Sequence, residues 1–339
     1  MESTTKTQID PNAVKKICDR IYGKNCAISE IKELADGCYN ASYMVHVESE
    51  NCDIIIKAAP SDDIPILSYE KDIMKTEVHL YKKVKEATKI PIPALIDVNF
   101  ERDLTGVPYF VSERLYGQPL NKVEALSYET RKILYTQLAK YLALLHKIEG
   151  DHYGYPALKK EFGTYRETFL DMVGILVKDG QKVGAGFPID YEDFFKLIEN
   201  HSDVLEDVKR PILVHFDLWD GNVFVKDMES NPTIEGLIDF ERSFYGDRLG
   251  DLMQASFNID LEKDTYFLDT YNAHTDEKII YGSREKKRVL LHKIYLFAIM
   301  IIESKFRDVN GSYDGQLGWA SEEFTKLIQQ LKDFGGQYE

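Results

Sequence analysis

Three side chains in fixed order constrain this chain more than any other feature. His215, Asp217 and Asn222 stand in an H-x-D-x-x-x-x-N pattern, with apolar runs at 212–216 and 222–225 on either side. Asp239 follows, fourteen residues past Val225, near the end of a further apolar run at 235–240. Strands that short, tied by turns, bring Asp217, Asn222 and Asp239 toward one another at neighbouring strand ends. A lone Asp in a turn is usually a cap. A hairpin carrying all three, with an acid strand downstream, is a site.

The donor set suggests a chemistry. Phosphoryl transfer needs a carboxylate near an attacking hydroxyl, with Asn and Asp oxygens to hold Mg²⁺ against phosphates. The composition is compatible with a soluble enzyme. The 339 residues are 44% hydrophobic and 29% charged, enough for two lobes around large cores. Lys plus Arg number 42 against 57 Asp plus Glu, and the net charge of −15 argues against nucleic acid or anionic membranes as partners. The longest apolar run, 295–302, is too short to span a bilayer. The first ten residues hold no apolar core, so the expected location is cytoplasmic. Cys18, Cys26, Cys38 and Cys52 form no C-x-x-C pair and read as reduced thiols.

Periodicity supplies the framework. Asp10 and Pro11 cap a helix running to residue 22. Strands follow at 31–34, 43–47 and 54–57, with turns at Asp36-Gly37 and 48–53. A helix at 69–87 stops before Pro91 and Pro93, and strands at 94–99 and 109–113 complete this part. Beyond a turn-rich crossing at 115–120, helices are expected at 128–148, 164–179, 190–200, 252–259, 286–307 and 321–334. They surround a β island formed by the three apolar runs. Gly184 and Gly186 read as a flexible connection. The fold expected is α+β, with an antiparallel-sheet N-lobe (1–114) and a mainly helical C-lobe (115–339).

These motifs resemble the aminoglycoside phosphotransferase family of small-molecule kinases, which share the protein-kinase-like two-lobe fold. The resemblance runs from about Leu34 to the last helices. It implies that Asp217 is the catalytic base, that Asn222 and Asp239 are Mg²⁺ ligands, and that His215 shapes the catalytic loop. The segment 34–43 is similar to the family's nucleotide loop, with Gly37, Asn40 and Ser42 as nucleotide-binding positions. It departs from the G-x-G-x-x-G loop of protein kinases, and no G-x-x-x-x-G-K-[ST] loop occurs.

Lys57 ends an apolar strand, where a lone ammonium must be paired or face a ligand. The resemblance gives it the α/β-phosphates and a helix glutamate. Glu77 fits the family's distance to the Pro-x-Pro better; Glu70 is the rival. Loss of Lys57 is expected to damage phosphate positioning and spare the fold. The stretch 107–120 resembles the hinge between lobes, with Ser112, Glu113, Arg114 and Leu115 at the adenine edge. Asp247 and Asp251 are expected to fix loops.

The leading expectation is transfer of the γ-phosphoryl of ATP or GTP to a hydroxyl of a small acceptor of the aminoglycoside type. Acids in the C-lobe, among them Asp171, Asp190, Glu192, Asp193, Glu303 and Asp308, favour a cationic acceptor. A metabolic kinase of the same fold, acting on fructosamines, choline, homoserine or sugars, is the alternative. A non-catalytic nucleotide-binding scaffold would lack one of Lys57, Asp217, Asn222 or Asp239, and all are present. Neither H-R-D nor A-P-E occurs, and the run around Asp239 is followed by no evident activation segment. The chain is expected to be a monomer or homodimer.

Overall fold

A computed structural model describes residues 3–34, 37, 39–158 and 160–335. Asp36 and Cys38 of the expected nucleotide loop lie outside them. Helix α1 (Pro11–Tyr22) starts where Asp10 accepts the Asn12 amide at 2.7 Å and Pro11 needs no donor. Strands β1 (Ile28–Leu34), β2 (Ala41–Val47) and β3 (Cys52–Ala58) precede α2 (Ile73–Ala87). With β4 (Leu95–Asn99) and β5 (Tyr109–Glu113) they form an antiparallel sheet of order β1-β2-β3-β5-β4.

Alternation along the strands decides what each face meets. On β3, Ile54, Ile56 and Ala58 join Tyr43, Val45, Tyr109 and Val111 in a core closed by Val14, Ile17 and Cys18 of α1. The intervening residue Lys57 therefore faces the other side, toward α2. That helix begins later than expected. Asp72 takes a left-handed backbone, φ 55°, and residues 68–70 form a separate tight turn in which the Glu70 carboxylate accepts the Leu67 amide.

The rest is mainly helical. After β6 (Gln118–Pro119) come α3 (Tyr128–Leu145), α4 (Tyr165–Val183) and α5 (Tyr191–His201). Gly184, φ 62°, is no loose connection but the left-handed stop of α4. The expected β island is two pieces. Strand β7 (Ile212–Val214) ends early because Phe216 turns left-handed, φ 67°. Strand β8 (Val223–Lys226) lies between β6 and β9 (Thr233–Leu237) and pairs with both, while β7 pairs with β10 (Phe244–Gly246).

Helices α6 (Leu249–Ala255), α7 (Tyr266–Ala273), α8 (Ser283–Arg307) and α9 (Asp314–Gly335) complete the chain. The apolar run at 295–302 lies inside α8 as core, packed against α4, α6 and α9. No helix among the described residues is long and apolar enough to cross a membrane. A second core runs from Tyr81 and Phe110 beneath the sheet through α3, α4, α6 and α8, so the sheet and helices share packed surface. A division at 114/115 falls between β5 and β6. Cys18, Cys26 and Cys52 are free thiols.

Candidate active site

Lys57 is the centre of the site. Its ammonium donates to both Glu77 carboxylate oxygens (2.9 and 2.8 Å), to Asp239 Oδ1 (2.6 Å) and to Glu241 Oε2 (3.3 Å). Its side chain is 13% exposed, and the three acids hold it charged against the penalty of burial. Burial raises the Glu77 and Glu241 carboxyls, with Lys57 pulling the other way. Burial would also raise Asp239, but Lys57 outweighs it and holds that carboxyl below its ordinary value. Glu70 is elsewhere: it pairs with Arg307.

Asp239 sits just after β9 in a left-handed conformation, φ 71°, with its amide donating to the Tyr81 hydroxyl at 3.2 Å. That turn brings Glu241 and Arg242 into the same cleft; the sequence reading gives neither a role. Their signal was only their nearness to Asp239 in a chain that turns sharply there.

The 215–222 loop hangs from one buried carboxylate. Asp251 accepts the His215 amide at 3.0 Å, the Phe216 amide at 2.7 Å and His146 Nε2 at 3.0 Å. His215 Nε2 lies 3.0 Å from the Ile238 carbonyl, joining the loop to the strand before Asp239. Asp247 is held in turn by Arg288 and His292. Asp251→Ala is expected to destabilise the protein by about 3 kcal/mol or more, since two backbone donors and a histidine lose a charged acceptor together. Urea unfolding of the variant measures this.

Asp217 points into the cleft with 20% of its side chain exposed, its Oδ2 3.8 Å from Arg242 Nε. Burial pushes its carboxyl up to about 7 despite Arg242, with Asp239, Glu241 and Glu303 adding to the rise. The Asn222 amide donates to the Asp217 carbonyl at 2.7 Å, and to no other group more closely than the Asp217 carboxylate at 3.5 Å. Its oxygen accepts no hydrogen bond among the described residues. A Cβ at Gly221 would lie 2.2 Å from the exposed Trp219 ring, which would have to move.

The remaining predicted positions divide. Asn40 donates to Glu241 Oε2 at 2.8 Å, leaving its own buried oxygen without a partner. Ser42 stands opposite Lys57 in the β2–β3 register, hence on the same sheet face. Gly37 has ordinary room: a Cβ would find only the Asn40 carbonyl, at 3.7 Å. Ser112 is buried on β5, and the Glu113 carboxylate accepts the Ala94 amide at 3.1 Å. Arg114 pairs with Asp53 at 2.6 Å, and Leu115 packs on Gly236.

The C-terminal acids do not gather. Asp171 pairs with Lys160, Glu192 with Lys196, Asp190 caps α5 through the Glu192 and Asp193 amides, and Asp308 caps a turn. Glu303 alone reaches the site, through Arg242.

The donor chemistry fits Mg²⁺. Carboxylate oxygens of Glu77, Asp239 and Glu241 lie within 4.8 Å of one another, all hard oxygen ligands, and the Asn40 and Asn222 amide oxygens are uncommitted.

A paired lysine on a sheet face, an acid after a short strand and a carboxylate on a pinned loop, all in one cleft, are the arrangement of a protein-kinase-like fold. The chain belongs to the phosphotransferase enzyme family, whose model matches residues 30–285. Among solved structures it is similar to a proposed aminoglycoside phosphotransferase of Ralstonia eutropha JMP134, with TM-score 0.65, 13% identity, and 97% of this chain and 99% of that one covered. A proposed fructosamine-3-kinase of Haemophilus somnus 129PT gives TM-score 0.64 at 14% identity, covering 94% and 97%. The streptomycin–ATP ternary complex of APH(2")-IIa gives 0.61 at 16% identity, covering 95% and 99%. At these identities the likeness is one of fold. No curated protein matches the sequence.

Proposed function

We propose that this protein is a small-molecule kinase, transferring the γ-phosphoryl of ATP or GTP to a hydroxyl of a small acceptor. The observation that carries the reading is the convergence of Lys57, Glu77 and Asp239 in one ion cluster beside a half-buried Asp217. Lys57 exchanges part of its carboxylate shell for phosphate oxygens, and Glu77 keeps it aimed. Asp217 accepts or orients the acceptor hydroxyl, held by the loop that His215 and Asp251 pin. Asn222 and Asp239, with Glu241 beside them, would hold Mg²⁺, which neutralises phosphate charge when bound.

The acceptor is of the aminoglycoside type, the class of the streptomycin that APH(2")-IIa holds in its complex. The fructosamine-3-kinase neighbour supports a ketosamine as the second reading. A coupled assay for nucleoside diphosphate release, run with both nucleotides over aminoglycosides, macrolides, amino-alcohols and ketosamines, decides between them.

Nucleotide binding should register in stability. A ligand bound only by the native state stabilises it by about 2.7 kcal/mol at 100 Kd. Mg·ATP or Mg·GTP at saturating concentration is therefore expected to raise Tm, and EDTA to remove most of the rise. A Tm unmoved by either nucleotide speaks against the kinase reading.

A further inference from the structure

Behind Asp217 a line of alternating charges runs away from the cleft. Arg242, 3.8 Å from Asp217, donates through Nη2 to Glu303 Oε2 at 2.6 Å. Arg307 donates to that same Glu303 oxygen at 3.1 Å, and its other terminal nitrogen pairs with Glu70. Gln316 of α9 occupies the second Glu303 oxygen at 3.2 Å. Glu70, Arg307, Glu303 and Arg242 are all buried. The line therefore starts in the turn before α2, crosses the C-terminal end of α8 and ends at the Asp217 carboxylate in the cleft.

Stability alone explains this poorly. Removing charges from water is costly, and well-packed apolar side chains of similar volume commonly hold a core as well or better. Arg307 is not even fully satisfied, because its Nε has no partner. What the line does accomplish is to divide the pull on Arg242. Glu303 is shared between two guanidiniums, so its hold on Arg242 is weaker than that of an unshared carboxylate, and Arg242 remains within reach of Asp217.

The far end meets the nucleotide loop. The Tyr39 ring lies under the Arg307 guanidinium, 5.5 Å from its centroid, and the Tyr39 hydroxyl donates to the Glu70 carbonyl at 3.4 Å. Its neighbour Asn40 bonds Glu241, itself on Lys57.

We propose that Arg307, acting through Glu303 and Arg242, is a positioning residue for the Asp217 carboxylate, with Glu70 as its anchor. The inference rests on the kinase reading above. Removing Arg307 leaves the whole Glu303 charge to Arg242, draws that guanidinium off Asp217 and frees the carboxylate to rotate. Lys57 keeps its own three carboxylates, and Arg307 meets the nucleotide loop through the Tyr39 ring and not through a polar contact, so the effect belongs mainly to kcat.

The test uses Arg307→Met, Arg307→Lys and Glu70→Gln in the full chain. The acceptor is whichever of kanamycin, erythromycin, choline and fructosyl-lysine the wild type phosphorylates fastest. Arg307→Met is expected to lower kcat about 10- to 100-fold, the scale of a small misplacement of a reacting group. Acceptor KM and nucleotide Kd should stay within about twofold, and Arg307→Lys should recover most of the loss. Glu70→Gln, which keeps the side-chain volume, should lower kcat several-fold, and it carries the test if Arg307→Met does not fold. A folded variant with kcat within twofold of wild type overturns the proposal. So does a parallel loss of kcat and nucleotide affinity that tracks Tm. A wild type that phosphorylates none of the four removes the kinase reading and this inference with it. An active wild type with unaffected variants removes only the positioning role.

Discussion

Asp217→Asn is expected to lower kcat by about 10²- to 10⁴-fold while leaving nucleotide Kd within a few-fold of wild type. The substitution keeps the volume of the side chain but removes the proton acceptor. Nucleotide contacts should survive because the Lys57 cluster draws on Glu77, Asp239 and Glu241, not on Asp217. The native carboxylate also predicts a pH profile. Burial lifts Asp217 to about 7, and only the ionised form can take a proton, so kcat should fall as pH drops through that value. A kcat preserved in the variant shows that Asp217 is not the base. Collapsed nucleotide affinity makes it a metal ligand instead.

Lys57→Ala should cost both turnover and stability. The sequence reading makes Lys57 a ligand-facing strand end whose loss spares the fold. The structure corrects that, because three carboxylates converge on its ammonium and Glu77 is only 1% exposed. Deleting one partner of a buried ion cluster typically costs about 3–5 kcal/mol. The sign with pH follows from the acids left behind. Without Lys57 the folded pKa values of Glu77 and Glu241 rise further above the unfolded ones and Asp239 loses what holds it down, so the acids destabilise the variant at high pH and less once protonated. The gap in urea midpoint between wild type and Lys57→Ala should therefore be wider near pH ~8 than near pH ~5. Equal midpoints at both pH values would remove the cluster from the stability account.

Much of the architecture could be read from period alone. The apolar run from Ile54 reads as a strand, but three consecutive isoleucines do not say which face meets α1; the structure puts Ile54 and Ile56 there. The α+β class follows from that sheet and the long periodic helices after it. What escaped depended on distant partners. Strand β10 is three residues long and exists only through its pairing with β7. Helix α7 is eight residues long, and α9 begins at Asp314, seven residues before the apolar rhythm is plain, with Gly315 and Gly318 in its opening turns.

At the site the limit is similar. His215, Asp217, Asn222 and Asp239 announce themselves by spacing, and Lys57 by ending an apolar strand. The resemblance favours Glu77 over Glu70 as the partner of Lys57, and the packing of β3 against α2 makes that contact, with Glu70 on Arg307 instead. Glu241 and Arg242 depend on a left-handed turn at Asp239 that no pattern of residue types requires. The line from Arg242 to Glu70 joins residues far apart in the chain, through α8, and is visible only in three dimensions.

The most direct test of the account is phosphoryl transfer itself. Purified protein is incubated with Mg²⁺, γ-labelled ATP or GTP and each member of the acceptor panel, beside the Asp217→Asn variant. Label in the acceptor is then compared with nucleoside diphosphate formed. The account predicts at least one acceptor labelled one-to-one with diphosphate, and no labelling above background by the variant in the same time. Nucleotide bound by the wild type with no label in any acceptor, from either nucleotide, would contradict it and leave a nucleotide-binding protein without transfer chemistry.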